Sequence, residues 1–470
     1  MAPMNTVAFK DCDIRGTFPD QVNADIFARV GREFGRLLAA GPRADGDTVV
    51  LGGDGRHSTP ELLAALLRGL ATAPIGIVEL GPRVPTPAIY WAKHQYGAQA
   101  SAICTASHNP PQWNGLKVMN GELPPTPEDI KFLAEKASET AEIAPESPAR
   151  IRRVEDVVGD YMQAMVQSFG GQSLAGLKVV VDPGNGCMSG VASKVFADLG
   201  AEVTALFDHI DGSFTERNPD CALPETLVTL VRTVKETGSD FGVAFDGDGD
   251  RIAVVDDTGR ILGSERLAII LFKGAVQCNP GDTVILDIKC SMHLERAVSA
   301  LGGTPRRCRS GHAYMKRMVL EHDAIAGVEL SGHIFLGEIQ GRDDPLHTAL
   351  RLAGWLARQD RKLSAFVDEL PEMFMSEDIR IGMETPDIDA LLEDCAAGLA
   401  GAEVQRIDGV RLVWPRGWLL VRRSITEPKV TIRLEGDGAE DLRRIGGLFS
   451  ERFPQLKGDV EMALGRFECA

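Results

Sequence analysis

The chain has no C-x-x-C pair, and its nine cysteines stand singly along the sequence. Paired cysteines at short spacing mark zinc sites and disulfide frameworks, so neither is expected. Long apolar runs are also missing, and none approaches the ~20 residues that span a bilayer. The first residues lack the basic-then-apolar pattern of a secretory signal. These absences predict a soluble protein in a reducing, cytoplasmic compartment.

Positive charge is scarce, because 50 Lys and Arg residues face 67 Asp and Glu residues and give a formal net charge of −17 without a long basic block. Nucleic acids and anionic membranes both need a positive surface, so neither is expected as a partner. A small anionic substrate fits only a pocket that concentrates basic side chains. The 44% hydrophobic and 25% charged content is that of a globular protein. A length of 470 residues is enough for about three domains.

Three short apolar segments predict buried strands of an α/β protein: residues 48–51, 178–181 and 283–286. A helical pattern follows each strand. The clearest helix is predicted to begin with Thr59 as N-cap and Pro60 in the first helical position. The three units therefore form a weak internal repeat, in pattern rather than in identity.

Each unit also contains a later apolar strand that ends in a polar loop. The three strand–loop pairs are 100–104 with TASH at 105–108, 241–245 with DGDGDR at 246–251, and 324–328 with ELSGH at 329–333. Ligands of α/β sheets gather outside the carboxyl ends of strands. The repeat therefore predicts that three loops line one cleft.

Breaks in the pattern suggest four parts. A Pro-containing segment at 145–150 precedes a helix predicted over 154–169, Gly259 closes a strand and its turn, and Leu370-Pro371 forms a linker. The last part is patterned differently, with predicted strands at 417–421 and 429–434 and a helix over 439–453. The predicted domains are 1–152, 153–260, 261–371 and 372–470.

Asp246, Asp248 and Asp250 alternate with two glycines after a buried strand. Glycine allows the tight backbone that brings alternate carboxylates onto one hard cation. A calcium loop is excluded, because Arg251 replaces the required glycine at its sixth position and Asp257 the glutamate at its twelfth. Magnesium fits better, with Arg251 beside the bound anion. The alternative is a solvated acidic turn.

Ser107 offers a hydroxyl at the tip of a buried strand, and Pro110 fixes the backbone as it leaves the turn. Taken alone, this segment also fits a turn whose side chains bond their own backbone. Neither Ser107 nor Ser331 has the flanking glycines of a hydrolase nucleophile elbow. The Gly184-Asn185-Gly186 turn lacks the glycine spacing of a dinucleotide site.

The remaining candidates depend more on context. Glu329 and Ser331 alternate in a strand-like loop and suit vicinal sugar hydroxyls, or form a structural turn. Arg422, Ser424 and Thr426 also alternate and suit a phosphate group, or belong to an exposed hairpin. Lys289 and His312 are candidate acid/base groups, since an imidazole near neutral pKa suits a sugar hydroxyl.

In this combination the chain resembles the α-D-phosphohexomutases, most closely their bacterial phosphomannomutase/phosphoglucomutase branch. The resemblance spans nearly the whole length and rests on DIRG at 13–16, TASHNPPQWNGLK at 105–117, DGDGDR at 246–251, ELSGH at 329–333 and RRSITEP at 422–428. It implies an α/β fold of four domains, in which three similar α/β domains and a smaller α+β C-terminal domain surround a central cleft.

The resemblance also implies roles for residues. Ser107 is expected as a phosphoserine that binds Mg²⁺ together with Asp246, Asp248 and Asp250. The phosphoryl group would be surrounded by Arg15, His108, Asn109, Lys117 and Arg251. Lys289 and His312 match the candidates for proton handling. Glu329 and Ser331 would hold the 3- and 4-hydroxyls of the sugar, with His333 in the same loop, and Arg422, Ser424 and Thr426 would bind the phosphate that is not reacting.

The implied reaction interconverts hexose 1-phosphate and hexose 6-phosphate, with a hexose 1,6-bisphosphate as intermediate and activator. Mannose and glucose differ at C2, so recognition through the 3- and 4-hydroxyls would accept both. Sugar phosphates are the expected partners of a monomer or dimer. Alternatives are a phosphoglucosamine mutase, a phosphatase using Asp246 or Asp248, and a non-catalytic sugar-phosphate-binding relative. Leu330, between Glu329 and Ser331, argues against the glucosamine substrate.

Three residues depart from the family pattern. Val328 stands before the sugar loop where glycine is common, Ile425 stands in the phosphate loop where Asn or Gly is frequent, and Pro345 follows two aspartates where glycine is usual. These departures bear on phosphate affinity and substrate range rather than on the class of reaction.

Overall fold

The protein is described from a computed structural model that covers residues 4–41, 47–139, 149–424 and 429–465. Ile425 and Thr426 lie outside these described residues. Within them the chain forms four sheets in sequence, each flanked by helices.

The first sheet has six strands. They are β1 (Ile14–Thr17), β2 (Thr48–Gly53), β3 (Gly76–Gly81), β4 (Ala100–Cys104), β5 (Trp113–Asn120) and β6 (Arg150–Arg153), in the order β1-β5-β4-β2-β3-β6. Its helices are α1 (Ala24–Ala39), α2 (Thr59–Leu70), α3 (Thr86–Gln95) and α4 (Pro127–Glu139).

The second sheet has five strands. They are β7 (Lys178–Asp182), β8 (Glu202–Ala205), β9 (Phe241–Phe245), β10 (Ile252–Asp256) and β11 (Ile261–Leu262), in the order β11-β10-β9-β7-β8. Its helices are α5 (Val157–Phe169), α6 (Ala192–Asp198) and α7 (Val228–Thr237), the last preceded by a 3₁₀ turn at Pro224–Leu227.

The third sheet also has five strands. They are β12 (Thr283–Asp287), β13 (Thr304–Cys308), β14 (Ala326–Val328), β15 (Ile334–Leu336) and β16 (Arg342–Asp343), in the order β13-β12-β14-β15-β16. Its helices are α8 (Ser264–Ile270), continued as a π-helix over Leu271–Ala275, then α9 (Met292–Ala300), α10 (His312–Glu321), α11 (Pro345–Leu356) and α12 (Leu363–Val367), with a 3₁₀ turn at Gly337–Ile339.

The fourth sheet is antiparallel throughout. Its strands are β17 (Phe374–Met375), β18 (Ile379–Gly382), β19 (Glu403–Gln405), β20 (Val410–Trp414), β21 (Gly417–Arg423) and β22 (Lys429–Gly436). Helices α13 (Thr385–Ala396), α14 (Ala439–Arg452) and α15 (Lys457–Leu464) pack with it, and a 3₁₀ turn at Pro454–Leu456 joins the last two.

The first three sheets share a four-strand arrangement. In each, a central strand (β2, β7 or β12) pairs in parallel with the next strand on one side and with the following strand on the other. A fourth strand then returns antiparallel to the third. The polar loops 105–112, 246–251 and 329–333 all connect the third strand to the fourth. The α/β fold and its internal repeat are therefore confirmed, and the fourth, different region is an α+β unit.

Apolar packing joins these units. One buried cluster contains Val78 of the first sheet, Val243 of the second and Leu286 of the third. The fourth sheet has a cluster of its own around Leu434 and Phe449. The first three sheets therefore pack around a shared apolar cluster.

Sheet pairing refines two predicted domain boundaries. The division at 152/153 cuts through β6, which pairs along its whole length with β3. The division at 260/261 separates β11 from its partner β10. We therefore propose that the first two domains end after Arg153 and after Leu262, while the division at 371/372 stays a prediction.

Some local expectations were wrong in detail. Thr59 is the first helical residue and not the N-cap, because its hydroxyl donates to Asp54 instead of capping the helix. The helix expected from 154 starts at Val157, since Asp156 is its N-cap and accepts from the amide of Gly159.

Two residues that depart from the family pattern lie within regular structure. Pro345 occupies the first turn of α11, where its missing N–H costs nothing. Val328 is the buried last residue of β14.

The eight cysteines in the described ranges are free thiols. Among the helices described, none combines the length and the apolar character that crossing a membrane requires.

Candidate active site

Ser107 is the residue on which the site is centred. It follows β4 with a φ of 51°, in the left-handed region that non-glycine residues rarely adopt. Its amide donates to the hydroxyl of Thr105, and its own hydroxyl donates to Asp246 Oδ2 at 2.8 Å. The side chain is almost fully buried. The loop therefore points the serine oxygen at the acidic loop of the second sheet.

Asp246, Asp248 and Asp250 lie in the tight turn between β9 and β10. Asp246 Oδ1 accepts from the amides of Gly249, Asp250 and Arg251, which holds the turn closed. The three carboxylates are buried and can each offer an oxygen within 4.8 Å of the others. Carboxylate oxygens at this separation suit a hard divalent cation.

The electrostatics of the loop favour a bound cation. Burial, and then the neighbouring Asp250 and Asp248, raise the pKa of Asp246 well above its usual value. Within the described part of the chain, one oxygen of Asp248 and one of Asp250 are buried without a hydrogen-bond partner. An unsatisfied buried carboxylate oxygen is costly. The residues present therefore fit a metal ion with oxygen ligands.

Lys117 and Thr86 hold the acidic loop from the first domain. Lys117 Nζ lies 3.1 Å from Asp248 and 2.7 Å from Asp250. Burial acts to lower the pKa of this lysine, but the two carboxylates outweigh it and raise the pKa well above its usual value. The hydroxyl of Thr86 donates to Asp248 at 2.8 Å. These contacts fix the first two sheets against each other at the site.

A cavity of about 740 Å³ opens beside Ser107. Its lining includes most of the residues predicted for the site: Arg15, Ser107, His108, Asn109, Lys117, Arg251, His312, Glu329 and His333. All three strand–loop edges contribute to it, as the repeat predicted.

His108 contacts the serine, and Arg15, Asn109 and Arg251 line the same cavity. Arg15 donates to the Asn109 side chain at 3.0 Å and pairs with Asp13. His108 Nδ1 lies 3.2 Å from the serine oxygen, and burial followed by the charges of Arg251 and Arg15 lowers the pKa of this histidine well below its usual value. A neutral imidazole and cationic guanidinium groups suit a phosphoryl group at Ser107.

His312 and His333 are joined by Asp343, which sequence reasoning did not select. His312 Nε2 lies 2.8 Å and His333 Nδ1 2.9 Å from the same oxygen of Asp343. Arg251 donates to His333 Nε2 at 3.0 Å, so the proton of a neutral His333 resides on Nδ1. Burial acts to lower the pKa of His333, but Asp250 and Asp343 raise it to about 8. Asp343 therefore orients both rings, and protonation of His333 breaks its bond with Arg251.

The sugar loop presents unpaired polar atoms. Glu329 donates from its amide to the carbonyl of His333, and Gly332 donates back to Glu329, which closes the turn. In the residues covered by the structure, Glu329 Oε2 and Ser331 Oγ are buried without partners. Glu329 lines the cavity and can receive a hydroxyl group of a ligand there, whereas Ser331 is absent from the lining.

Seven predicted residues in the described part of the chain are absent from the lining of this cavity: Asp246, Asp248, Asp250, Lys289, Ser331, Arg422 and Ser424. Lys289 is absent from its lining and contacts Asp378 of the fourth domain, at 3.5 Å. Arg422 pairs with Asp408 at 2.9 Å, and Ser424 donates from its amide to Lys429. Thr426 lies outside the described residues. The fourth domain reaches the cavity through Arg380 of β18 instead.

The sequence reasoning missed Asp54, Arg56, Thr86, Asp343 and Arg380. Asp54 and Arg56 could have been found, because Gly53-Asp54-Gly55-Arg56 is a polar turn directly after a predicted strand. The other three stand in no polar loop or short motif that would single them out, because Thr86 lies in helix α3, Asp343 in strand β16 and Arg380 in strand β18.

Models of the phosphoglucomutase/phosphomannomutase α/β/α domains I, II and III match residues 6–143, 159–259 and 263–374. The chain belongs to this family. It is thus a phosphohexomutase, an isomerase of hexose phosphates.

Individual relatives agree with the family. A phosphomannomutase/phosphoglucomutase of Pseudomonas syringae pv. tomato is 33% identical over 97% of this chain and 96% of its own length. A phosphoglucomutase of Neisseria meningitidis is 31% identical over 96% of this chain and 97% of its own length. The crystal structure of a phosphoglucomutase/phosphomannomutase family protein of Burkholderia thailandensis superposes with a TM-score of 0.86 at 34% identity, covering 97% of this chain and 98% of that one. This phosphohexomutase therefore shares its fold with that protein over nearly the whole length of both chains.

Proposed function

We propose that this phosphohexomutase interconverts the 1- and 6-phosphates of mannose, glucose or both through a phosphoserine at Ser107. The observation that carries the proposal is the hydroxyl of Ser107, 2.8 Å from the buried Asp246 carboxylate and at the wall of a cavity of about 740 Å³. The cavity has room for a hexose with two phosphate groups, and its cationic lining suits their charge.

In the first transfer a hydroxyl of the sugar phosphate attacks the phosphorus atom on Ser107. A bond from the sugar oxygen to phosphorus forms, and the bond from phosphorus to Ser107 Oγ breaks. The sugar hydroxyl gives its proton to His312, and the serine oxygen, released as an alkoxide, takes up a proton from solvent in the cavity and becomes a hydroxyl again. Arg15, Lys117 and Arg251 stabilise the charge on the transferring group.

The product of that step is a hexose 1,6-bisphosphate. It turns over within the cavity and returns its other phosphoryl group to Ser107, which leaves the isomeric monophosphate. Glu329 and Ser331 hold the 3- and 4-hydroxyls of the sugar, with His333 beside them. The site therefore does not distinguish the configuration at C2, where mannose and glucose differ. Arg422, Ser424 and Thr426 bind the phosphate that is not reacting.

The metal and the acid/base group are parts of the same proposal. Asp246, Asp248, Asp250 and the phosphoryl group of Ser107 would hold Mg²⁺, which supplies charge neutralisation to phosphoryl transfer. Proton handling is assigned to His312, because Lys289 pairs with Asp378 away from the cavity. The free thiols of the described cysteines support a cytoplasmic setting.

The test combines intact-mass analysis with a coupled assay. Incubation with glucose 1,6-bisphosphate and Mg²⁺ should add one phosphoryl group to the wild type and none to Ser107→Ala, which should also lose turnover. Ser101→Ala removes another buried hydroxyl from the cavity wall and should keep the label. A Ser107→Ala protein that still releases phosphate would instead be a phosphatase. A wild type that is never phosphorylated would be a non-catalytic relative, and preference for glucosamine phosphates in the assay would identify that mutase.

A further inference from the structure

Arg56 lies directly under the serine loop, in the turn that follows β2. Its guanidinium carries five N–H donors, and each has an acceptor. Nη2 donates to the carbonyl oxygens of Ser107 and Asn109 at 2.8 and 2.6 Å, Nη1 donates to those of Pro110 and Trp113 at 2.6 and 3.1 Å, and Nε donates to Asp54 at 3.0 Å.

Three of these carbonyl groups lie in the loop 105–112, and the fourth is that of Trp113, the first residue of β5. The Pro110 carbonyl also accepts from the Trp113 amide at 3.0 Å. Residues 105–112 join two antiparallel strands, and two of them are prolines without an N–H group. One buried side chain therefore connects four carbonyl groups along this loop and at the start of β5, in addition to the backbone hydrogen bonds of the segment. It also sets the carbonyl direction of Ser107, whose φ of 51° is unfavourable for serine in isolation.

Asp54 prevents the guanidinium from moving. It accepts from the amide and Nε of Arg56 and from the hydroxyls of Thr59 and Thr105. Thr105 in turn accepts from the Ser107 amide. The serine backbone is thus held at its nitrogen through Thr105 and at its oxygen through Arg56.

The second domain closes over this arrangement. The Arg56 guanidinium lies 5.2 Å from the ring centre of Phe214. A Cβ atom on Gly247, in the acidic loop, would lie 2.7 Å from the Ser107 carbonyl oxygen and 3.2 Å from Phe214. The Ser107 carbonyl is therefore enclosed between Arg56 and the loop that carries the three aspartates.

We infer that Arg56 is a positioning residue for phosphoryl transfer, which fixes the backbone of residues 107–113 so that Ser107 Oγ stays directed at the acidic loop. This role rests on the proposed function of Ser107 and extends it to a side chain that touches no substrate. A lysine at the same place keeps the charge opposite Asp54 but brings only three donors from one atom, so it cannot hold four carbonyl groups.

The test uses Arg56→Lys, because Arg56→Met would leave the Asp54 charge buried and unpaired and is expected to unfold the domain. The first readout is hydrogen exchange of the peptide 105–113, which needs no turnover. The second is the rate at which glucose 1,6-bisphosphate phosphorylates Ser107, measured by intact mass. We expect faster exchange in that peptide and a phosphorylation rate about 100-fold lower, since a misplacement near 1 Å costs that much. The KM for the bisphosphate should change little.

Lys93→Met is the matched control. Lys93 is also buried in the first domain and donates to a carbonyl oxygen, that of Gly121 at the far end of β5. It should lower the melting temperature without changing exchange at 105–113 or the phosphorylation rate. Unchanged exchange at 105–113 in Arg56→Lys would overturn the inference, and so would equal effects of both variants on rate. A wild type that incorporates no phosphate would refute the proposed function, while the exchange readout would still decide the role of Arg56.

Discussion

Ser107 and Asp246 lie within hydrogen-bond distance, 2.8 Å, although 139 residues separate them and each belongs to a different sheet. The bond joins the loop after β4 to the loop after β9, which occupy the same place in two copies of one topology. The site is therefore assembled by repetition of a supersecondary unit, with one polar loop from each copy.

The first prediction concerns the metal. Removal of divalent cations with EDTA should abolish activity and lower the melting temperature, because three buried carboxylates then repel each other. Adding Mg²⁺ at 100 times its dissociation constant should restore about 2.7 kcal/mol of stability. Asp248→Asn should lose most of this stabilisation, measured by thermal unfolding with and without Mg²⁺.

Asp256→Asn is the control for the metal prediction. Asp256 is another buried aspartate, but it closes the turn after β10 and accepts from Thr258 and Arg260. It should destabilise the protein equally with and without Mg²⁺. A Mg²⁺-dependent stabilisation that survives in Asp248→Asn would contradict the assignment.

The second prediction concerns Asp343. Asp343→Asn removes the carboxylate that orients His312 and His333, so kcat should fall by about 10²-fold or more, the range for a misplaced acid/base group. KM should change less than kcat. The variant should also lower the pKa of His333 from about 8, since the bond with Asp343 helps to raise it, and NMR titration of the ring would detect this.

Asp344→Asn serves as the neighbouring control for Asp343. Asp344 caps α11 and accepts from the hydroxyl of Tyr161, and no hydrogen bond or ion pair within the described residues joins it to His312 or His333. Its substitution should lower stability and leave kcat in place. Equal losses of kcat in the two variants would mean that Asp343 acts through stability alone.

The third prediction is a pH dependence of stability at Lys316. Burial, partly offset by Asp343, lowers the pKa of this lysine from 10.5 to about 8. The unfolded chain therefore binds the proton more tightly, so the charge on Lys316 penalises folding below pH 8, and the penalty disappears as the pH rises from about 8 to 10.5. One pKa unit corresponds to about 1.4 kcal/mol, which makes the penalty on the order of 3 kcal/mol.

Lys316→Met should consequently stabilise the protein near pH 7 and lose that advantage by pH 10.5. Denaturant unfolding at a series of pH values checks this. Lys194→Met, at an exposed site paired with Asp198, should show no such trend. The same pH profile in wild type and Lys316→Met would refute the prediction.

The fourth prediction separates binding from chemistry in the fourth domain. If Arg422 binds the phosphate that does not react, Arg422→Ala should raise KM about tenfold or more, in line with 1.5–3 kcal/mol for a hydrogen bond to a charged group. Its effect on kcat should be smaller, because that contact is the same in the ground and transition states. Arg423→Ala, the next residue on β21, removes an exposed arginine that pairs with Asp389 and should leave KM unchanged. A fall in kcat alone would place Arg422 in the chemical step.

Much of the fold could be predicted from the sequence, because each unit of the repeat shows the local hydrophobic patterns of its strands and helices. The strands at 48–51, 178–181 and 283–286 recur as β2, β7 and β12, and the polar loops that follow β4, β9 and β14 meet at one cavity. Element ends were less predictable, as at Thr59, where a hydroxyl that looks like a helix cap is taken by Asp54. Whether the Thr59 hydroxyl caps the helix or bonds to Asp54 depends on how the loop before the helix folds.

The residues that support the site were harder to predict than those that face the substrate. Ser107 and the three aspartates stand in short motifs, whereas Arg56 acts on carbonyl groups 51 to 57 residues away. Asp343 was seen only as one of two aspartates before Pro345, and its bond to His312 spans 31 residues. Patterns within a few residues cannot encode such contacts.

The lining of the cavity has a consequence for how the substrate arrives. A protein of formal charge −17 repels a sugar phosphate at long range, but Arg15, Lys117, Arg251 and Arg380 all face the cavity. At physiological ionic strength, fields from exposed charges fade within about 8 Å. Moderate salt should therefore screen the negative surface charge before it weakens the attraction between the substrate and the basic residues of the partly enclosed cavity. The association of a sugar phosphate with the protein should consequently be slowest in the most dilute buffer.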